Sequence, residues 1–358
     1  MKFSHFFVLF LIILTCVSTP ILFRTNIVAK NAQLNNDYSN YLITATKSAV
    51  DTAATGNTSG TYIFDTTEKR KSAVDAFYKT LKQCFNYEYS TYEPMVYTYV
   101  PCVVLVDTDG FYIEYGEDYD EPNGSYATYD VISPIHKWSR SYSPGNSADV
   151  GYEFYVEFHL DDTIEIVFIR NNEKVTTYSG YYADVYDQLC RDKTKIKSMT
   201  TGDPIVASNL DQLLSDYKMF YNEKKEIIIS EIQSQLEYYI NTKTETNNQY
   251  SRYQYQFTLP KVTGQDWARM VDAPTILSFM QGPQTEYGTS SFNIYALAGS
   301  EMEFDYIYYL KDVDGSVYYH LPECAHLSDE DTEGMRGYTM EGAAKMGAYP
   351  CPDCILER

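Results

Sequence analysis

The chain has 358 residues and a formal net charge of −21, from 49 acidic and 28 basic side chains. This negative charge excludes nucleic acid and anionic lipid as favoured partners of the body, because both would repel it over a Debye length. The length allows one large core or two ordinary ones, and the 37 tyrosines favour half-buried sheet surfaces.

The N-terminus contains an uncharged run over residues 6–23, roughly 27 Å of helix at about 1.5 Å per residue. That length is sufficient for a bilayer, so we predict a transmembrane anchor over 1–30. No A-x-A site follows the run, which favours an uncleaved anchor, with a cleaved signal peptide as the alternative. A short tail before a single span is expected to stay in the cytoplasm. We therefore predict a single-pass protein of the cell membrane with an extracytoplasmic body.

A helical stem is predicted over residues 31–90. Small or apolar side chains recur there every three or four residues, the pattern of an amphipathic helix. The stripe consists of Leu34, Tyr38, Tyr41, Leu42, Ala45, Ala49 and Ala53. We expect the anchor to continue into this stripe as one long helix that is broken at residues 56–60. A second helix is predicted from Asp65, with Glu68 completing a capping box.

An apolar helix that runs into an amphipathic stem and then a globular head resembles a pilin or a TadE-like pseudopilin, over about the first 85 residues. The chain departs from type IV pilins because residues 4–9 contain no acidic residue. The resemblance implies a structural or interaction protein with protein partners in the membrane or cell envelope. Such a protein would belong to a pilus-, secretion- or conjugation-type assembly of a Gram-positive-like surface. A plain membrane tether is the alternative.

Strand patterns predict an antiparallel β domain over residues 91–200. One hairpin is indicated by residues 96–106 and 111–115, and a second by residues 154–160 and 164–168, which alternate apolar and polar side chains. Residues 114–130 contain six acidic side chains between these hairpins. We interpret them as a solvated loop, with a calcium site as the alternative.

Residues 201–315 are predicted to form a long helix, or a broken pair of helices, over 204–242 and then further strands at 253–259, 291–297 and 304–310. Together with the stem and the β domain, this pattern predicts an α+β fold. The sequence has no G-x-S-x-G elbow, phosphate loop or H-E-x-x-H helix, so we predict no enzymatic activity. A cell-surface hydrolase or ligand-binding receptor that uses the Tyr-rich β domain is the alternative.

The C-terminal residues 316–358 carry the one pattern that indicates a specific chemistry. His320, Cys324, Cys351 and Cys354 stand at the spacing H-x3-C-x26-C-x2-C. Two short ligand pairs can each occupy one edge of a tetrahedron, and four protein ligands make a structural zinc site. We therefore predict a zinc lobe with Zn²⁺ as its structural cofactor. His326 as the fourth ligand and a disulfide between Cys351 and Cys354 are the alternatives.

Within this lobe, the segments YYHLPEC and EGAAKMGAYPCPDC resemble the Ada-type zinc-binding domain. The resemblance implies a strand, a short helix over 339–346 and a terminal P-C-x-x-C knuckle. In that family the first ligand is a cysteine whose thiolate accepts a methyl group from DNA. His320 stands at this position here, and an imidazole cannot act as that thiolate does. For this chain, the resemblance therefore implies a lobe that zinc holds together and that does not transfer alkyl groups.

Overall fold

A computed structural model describes residues 3–55, 62–88, 95–120, 126–143, 152–192, 208–250, 257–282, 292–299, 308–313, 315–321, 324–328, 343 and 347–356. The helices are α1 (Phe3–Ala54), α2 (Thr67–Cys84), α3 (Met95–Tyr99), α4 (Tyr182–Arg191), α5 (Ser208–Ser215), α6 (Tyr217–Tyr250) and α7 (Gly264–Asp272). The strands are β1 (Val103–Asp107), β2 (Gly110–Asp120), β3 (Tyr126–Ile132), β4 (Trp138–Tyr142), β5 (Tyr152–Phe158), β6 (Thr163–Arg170), β7 (Glu173–Tyr181), β8 (Thr275–Gly282), β9 (Phe292–Gly299), β10 (Tyr309–Val313), β11 (Ser316–His320) and β12 (Tyr349–Pro350).

The strands form three sheets, in the orders β3-β2-β1-β8-β9, β4-β5-β6-β7 and β10-β11-β12. The first two sheets are antiparallel throughout. With its helix-rich N-terminal region, the chain therefore has the predicted α+β fold. The second sheet contains the predicted hairpin over 154–168, in which Phe154 pairs with Phe168 and Phe158 with Ile164.

The five-stranded sheet is covered on both faces. Every residue of β1 and β8 is buried, and successive side chains of a strand point to opposite faces. Val104 and Val106 join a core that includes side chains of α6 and the four-stranded sheet. Val103 and Leu105 join a second core that includes side chains of α1 and α2. The sheet is thus the layer between two hydrophobic cores.

Helix α1 is continuous over 52 residues, as predicted, and its C-terminal part packs on the five-stranded sheet. Leu42, Ala45, Ala49 and Ala53 are buried at three- and four-residue spacing. The hydroxyl oxygens of Thr46 and Ser278 lie 2.6 Å apart in this interface, joining α1 to β8. The described side chains of α1 before Leu42 are exposed or half-buried.

The predicted membrane anchor requires a correction. Within the described part of the chain, no helix combines the length and the apolar character that crossing a membrane requires. The apolar character of the run over 6–23 is interrupted in its second half by Thr15, Ser18, Thr19 and Pro20. The predicted single-pass anchor over 1–30 and the cell-membrane localisation derived from it are therefore wrong.

Two other local predictions differ from the structure. Helix α2 is capped by Thr66, whose side chain accepts a hydrogen bond from the Lys69 N–H, so the cap lies one residue after Asp65. Residues 96–106 are divided between α3 and β1 instead of forming one strand. Of the two alternatives predicted for the long helical pattern, the structure has the broken pair, because α5 ends at Ser215 and α6 begins at Tyr217.

The acidic segment 114–130 is not a loop, since β2 and β3 pair from Glu114 opposite Ile132 to Asp120 opposite Tyr126. Residues 121–125, which connect the strands, lie outside the described residues.

Glu114 is fully buried, and both of its carboxyl oxygens accept hydrogen bonds from the Tyr78 hydroxyl, at 3.2 and 3.0 Å. Burial, with a smaller contribution from Asp130, raises the pKa of Glu114 to about 8.

A buried ion pair joins α6 to the turn between β5 and β6. Lys224 is 1% exposed, and its ammonium group donates to the Leu160 carbonyl at 3.0 Å and to the Asp162 carboxylate. The Tyr217 hydroxyl donates to the other carboxylate oxygen of Asp162 at 2.9 Å. Asp162 itself has a left-handed backbone with φ of 60°. The turn therefore positions the Asp162 carboxylate as the counter-charge of the buried Lys224 ammonium group.

Replacing Lys224 by methionine is expected to lower the free energy of unfolding by about 3 kcal/mol or more, because Asp162 would lose its buried counter-charge. Lys218→Met on the exposed face of α6 is the matched control and is expected to change it by less than about 0.5 kcal/mol. Urea unfolding of the full chain measures both values. Equal stability of the two variants would contradict the structural role assigned to the ion pair.

The raised pKa of Glu114 predicts a pH-dependent stability. Between the ordinary carboxyl pKa of 4.5 and the raised pKa of about 8, Glu114 holds a proton in the folded chain that it has released in the unfolded chain. Glu114 therefore favours the folded state at acid pH, and this contribution is lost as pH rises toward about 8. Relative to wild type, Glu114→Gln should gain stability by about 1 kcal/mol per pH unit between pH 5 and 8. Urea unfolding across this pH range measures the difference in stability. The partly exposed Glu165, changed to Gln, is the control. A difference between Glu114→Gln and wild type that does not change with pH would refute the prediction.

Candidate metal centre

The C-terminal sheet positions the first and third predicted ligands. Strands β10 and β11 form a hairpin in which Tyr309 pairs with His320, and Gly315 takes a positive φ of 83° in its turn. Strand β12 runs parallel to β11, with Tyr319 opposite Pro350. The Cys351 N–H donates to the Tyr319 carbonyl at 3.1 Å. This pairing places Cys351 next to the end of β11, where His320 lies.

Two tight turns bring the remaining donors to the same place. The Cys324 N–H donates to the Leu321 carbonyl at 3.0 Å, and the Leu327 N–H donates to the Cys324 carbonyl at 3.0 Å. The second turn folds His326 back toward Cys324. His320, Cys324 and Cys351 are buried, whereas His326 is exposed.

His320, Cys324, His326 and Cys351 form a cluster that can hold a metal ion, since one donor atom from each lies within 4.8 Å of the others. The Sγ atoms of Cys324 and Cys351 are 3.9 Å apart. His326 Nδ1 lies 3.7 Å from Cys324 Sγ and 3.6 Å from Cys351 Sγ, and His320 Nδ1 lies 3.3 Å from Cys324 Sγ.

These separations fit the edges of a coordination tetrahedron. Zn–S bonds of about 2.3 Å and Zn–N bonds of about 2.0–2.1 Å give edges of about 3.8 Å between two sulfurs and about 3.6 Å between sulfur and nitrogen. Each of the four separations lies within about 0.3 Å of the corresponding edge. Four of the six donor separations therefore match those of a tetrahedral ion, and the other two are no longer than 4.8 Å.

Cys354, the fourth predicted ligand, lies beside this cluster. It belongs to the single helical turn Pro352–Leu356, and its Sγ accepts a hydrogen bond from the Leu321 N–H at 3.4 Å. Its thiol also interacts with those of Cys324 and Cys351. The structure thus brings three predicted ligands together with His326, which the sequence indicated only as an alternative, and it places Cys354 next to them.

The thiols of the cluster differ in how easily they ionise. Burial opposes ionisation of Cys351, but the backbone N–H of Cys354, the His326 ring and the backbone N–H of Asp353 outweigh it and lower the Cys351 pKa to about 7. Burial and the two neighbouring thiols raise the pKa of Cys354 to about 11. Adjacent thiols resist a second negative charge unless a cation compensates it. A bound divalent metal would supply that compensation.

The apolar core of this lobe is small. Its buried members are Tyr308, Tyr319, Leu321, Ala343 and Ala348. Apart from Ala343, the residues of the predicted helix over 339–346 lie outside the described part of the chain. Cores of this size seldom hold a structure without a metal or a disulfide. All the cysteines in the described lobe are free thiols, which leaves them available as metal ligands.

No protein-family profile, curated protein or solved structure matches the chain. The resemblances to the Ada-type zinc-binding domain and to pilin-like proteins therefore stay predictions.

Proposed function

We propose that the C-terminal lobe is a structural zinc lobe in a protein that acts through contacts with other proteins. The observation that supports it is the group of thiol and imidazole donors at tetrahedral separations. Thiolate and imidazole ligands suit zinc, whereas calcium and magnesium prefer oxygen. Four protein donors fill the coordination shell, as in structural zinc sites.

The metal would provide folding free energy to this lobe. Its ligands come from the end of β11, from the turn after it and from the knuckle after β12, so one ion joins three segments that share few buried apolar contacts. Binding to a site that the unfolded chain lacks is coupled to folding. The role we assign to zinc is therefore to hold the C-terminal segments together.

Protein contacts are supported by the N-terminal part of α1. Phe10, Leu14 and Val28 are 57%, 51% and 66% exposed along this helix. Exposed apolar surface commonly marks an interface. We assign to this segment the packing against α1 of other copies, in an assembly of the pilus, secretion or conjugation type.

Elemental analysis of the purified full chain tests the zinc lobe. We expect roughly one zinc per chain, and only background metal after Cys324→Ser combined with Cys351→Ser. Cys190→Ser on α4 is the matched control and should retain the metal, since Cys190 lies outside the cluster. A wild-type chain without stoichiometric zinc, or a double variant that retains it, would exclude the proposed site.

Light scattering after size-exclusion chromatography tests association through α1. We expect the wild type to form oligomers and the combined variant Phe10→Glu, Leu14→Glu, Val28→Glu to shift to the monomer mass, because like charges in a helix interface repel each other. The control changes the exposed Asn35, Asn36 and Asn40 to Glu, adding the same charge outside the apolar positions. A monomeric wild type, or equal dissociation of the control, would contradict the assignment.

A further inference from the structure

We propose that His326 is the fourth ligand of the metal site through its Nδ1 atom, and that Asp353 is the residue that positions its ring. The inference rests on the proposed zinc lobe and names the atom and the outer partner that complete the coordination. A tetrahedral zinc ion takes four ligands. His320, Cys324 and Cys351 supply three of them, and His326 is the remaining member of the cluster.

The distances from His326 to two sulfurs support the ligand assignment. Its Nδ1 lies 3.7 Å from Cys324 Sγ and 3.6 Å from Cys351 Sγ. Both values match the edge of about 3.6 Å between sulfur and nitrogen in a zinc tetrahedron. The nitrogen therefore stands one edge length from each sulfur, as a ligand of the same ion does.

Two hydrogen bonds hold the main chain of His326 at this place. The Leu327 N–H donates to the Cys324 carbonyl at 3.0 Å and closes the turn that contains His326. The Lys311 ammonium group on β10 donates to the His326 carbonyl at 2.8 Å. The side chain of His326 is 49% exposed, so packing alone leaves its ring free to rotate. A further partner is needed to direct Nδ1 toward the sulfurs.

Asp353 is that partner. Its Oδ2 lies 3.1 Å from His326 Nε2. An ionised carboxylate can only accept hydrogen bonds, so the Nε2 that faces it carries the hydrogen and the Nδ1 lone pair remains for the metal. Metal-binding histidines commonly donate to such a carboxylate, which fixes the ring and increases the basicity of the ligand nitrogen. Asp353 lies two residues after Cys351, so the knuckle carries one ligand and the orienting group of another.

Cys354 has a different role in this arrangement. Its Sγ accepts a hydrogen bond from the Leu321 N–H at 3.4 Å, which joins the knuckle to the segment after β11. A serine hydroxyl can accept the same hydrogen bond. Cys354→Ser therefore preserves this contact and is the matched control for a change of His326.

Cobalt binding by the full chain tests the ligand assignment, because the sulfur-to-cobalt absorption depends on the number of thiolate ligands. We expect about one cobalt per chain with the absorption of two thiolates, and the same affinity and spectrum for Cys354→Ser. His326→Ala should bind cobalt more than about 100-fold more weakly, because loss of a ligand costs more than loss of an outer partner. A Cys354→Ser variant whose absorption falls by about a third, or a His326→Ala variant with wild-type affinity, would overturn the inference.

Two substitutions of Asp353 separate positioning from charge. Asp353→Ala removes the acceptor of the Nε2–H and is expected to lower the zinc affinity about 10- to 100-fold. Asp353→Asn loses the same charge but keeps an acceptor oxygen, so it should recover most of the affinity. Competition with a fluorescent zinc chelator measures both variants. Equal zinc affinities of the two variants, or a wild-type affinity of Asp353→Ala, would overturn the positioning role.

A third measurement does not depend on the folding of a variant. The zinc-loaded wild type, labelled with nitrogen-15 at its five histidines, is studied by NMR of the imidazole rings. We expect two zinc-bound rings, whereas a site with three cysteine ligands would show one. A single zinc-bound ring would overturn the inference and leave the zinc lobe intact. A wild type that binds neither zinc nor cobalt would instead refute the proposed zinc lobe itself.

Discussion

Burial of β1 and β8 on both faces is the constraint on which the body of this protein depends. Their alternating side chains take part in two separate cores, one shared with α1 and α2 and the other with α6 and the four-stranded sheet. Each of the two strands contributes buried side chains to both cores. The C-terminal part of α1 is held to this layer by small side chains and by the hydroxyl contact between Thr46 and Ser278.

Ionisable groups inside the body are matched to partners from distant parts of the chain. Lys224 meets the Asp162 carboxylate and the Leu160 carbonyl, which lie more than sixty residues earlier. Glu114 accepts from Tyr78 of α2 and is protonated near neutral pH, because burial raises its pKa. Each of these groups would be costly to bury alone. Their pairing thus favours one relative placement of helices and sheets.

The C-terminal lobe is stabilised by a different principle. Few apolar side chains are buried there, and donors from three segments converge at separations that suit a metal ion. Under the proposed function, coordination replaces the hydrophobic core as the source of folding free energy.

The sequence by itself determined the features that depend on local pattern: the α+β class, the stripe that continues α1 to Ala54, the hairpin over 154–168 and three members of the metal cluster, His320, Cys324 and Cys351. These follow from residue periodicity and short ligand spacing. Only the tertiary structure decided that Glu114 is buried and that the carboxylate of Asp353 lies 3.1 Å from the His326 ring. The partners in the first case are thirty-six residues apart and in the second twenty-seven, and contacts over such distances leave no periodic signal in the sequence.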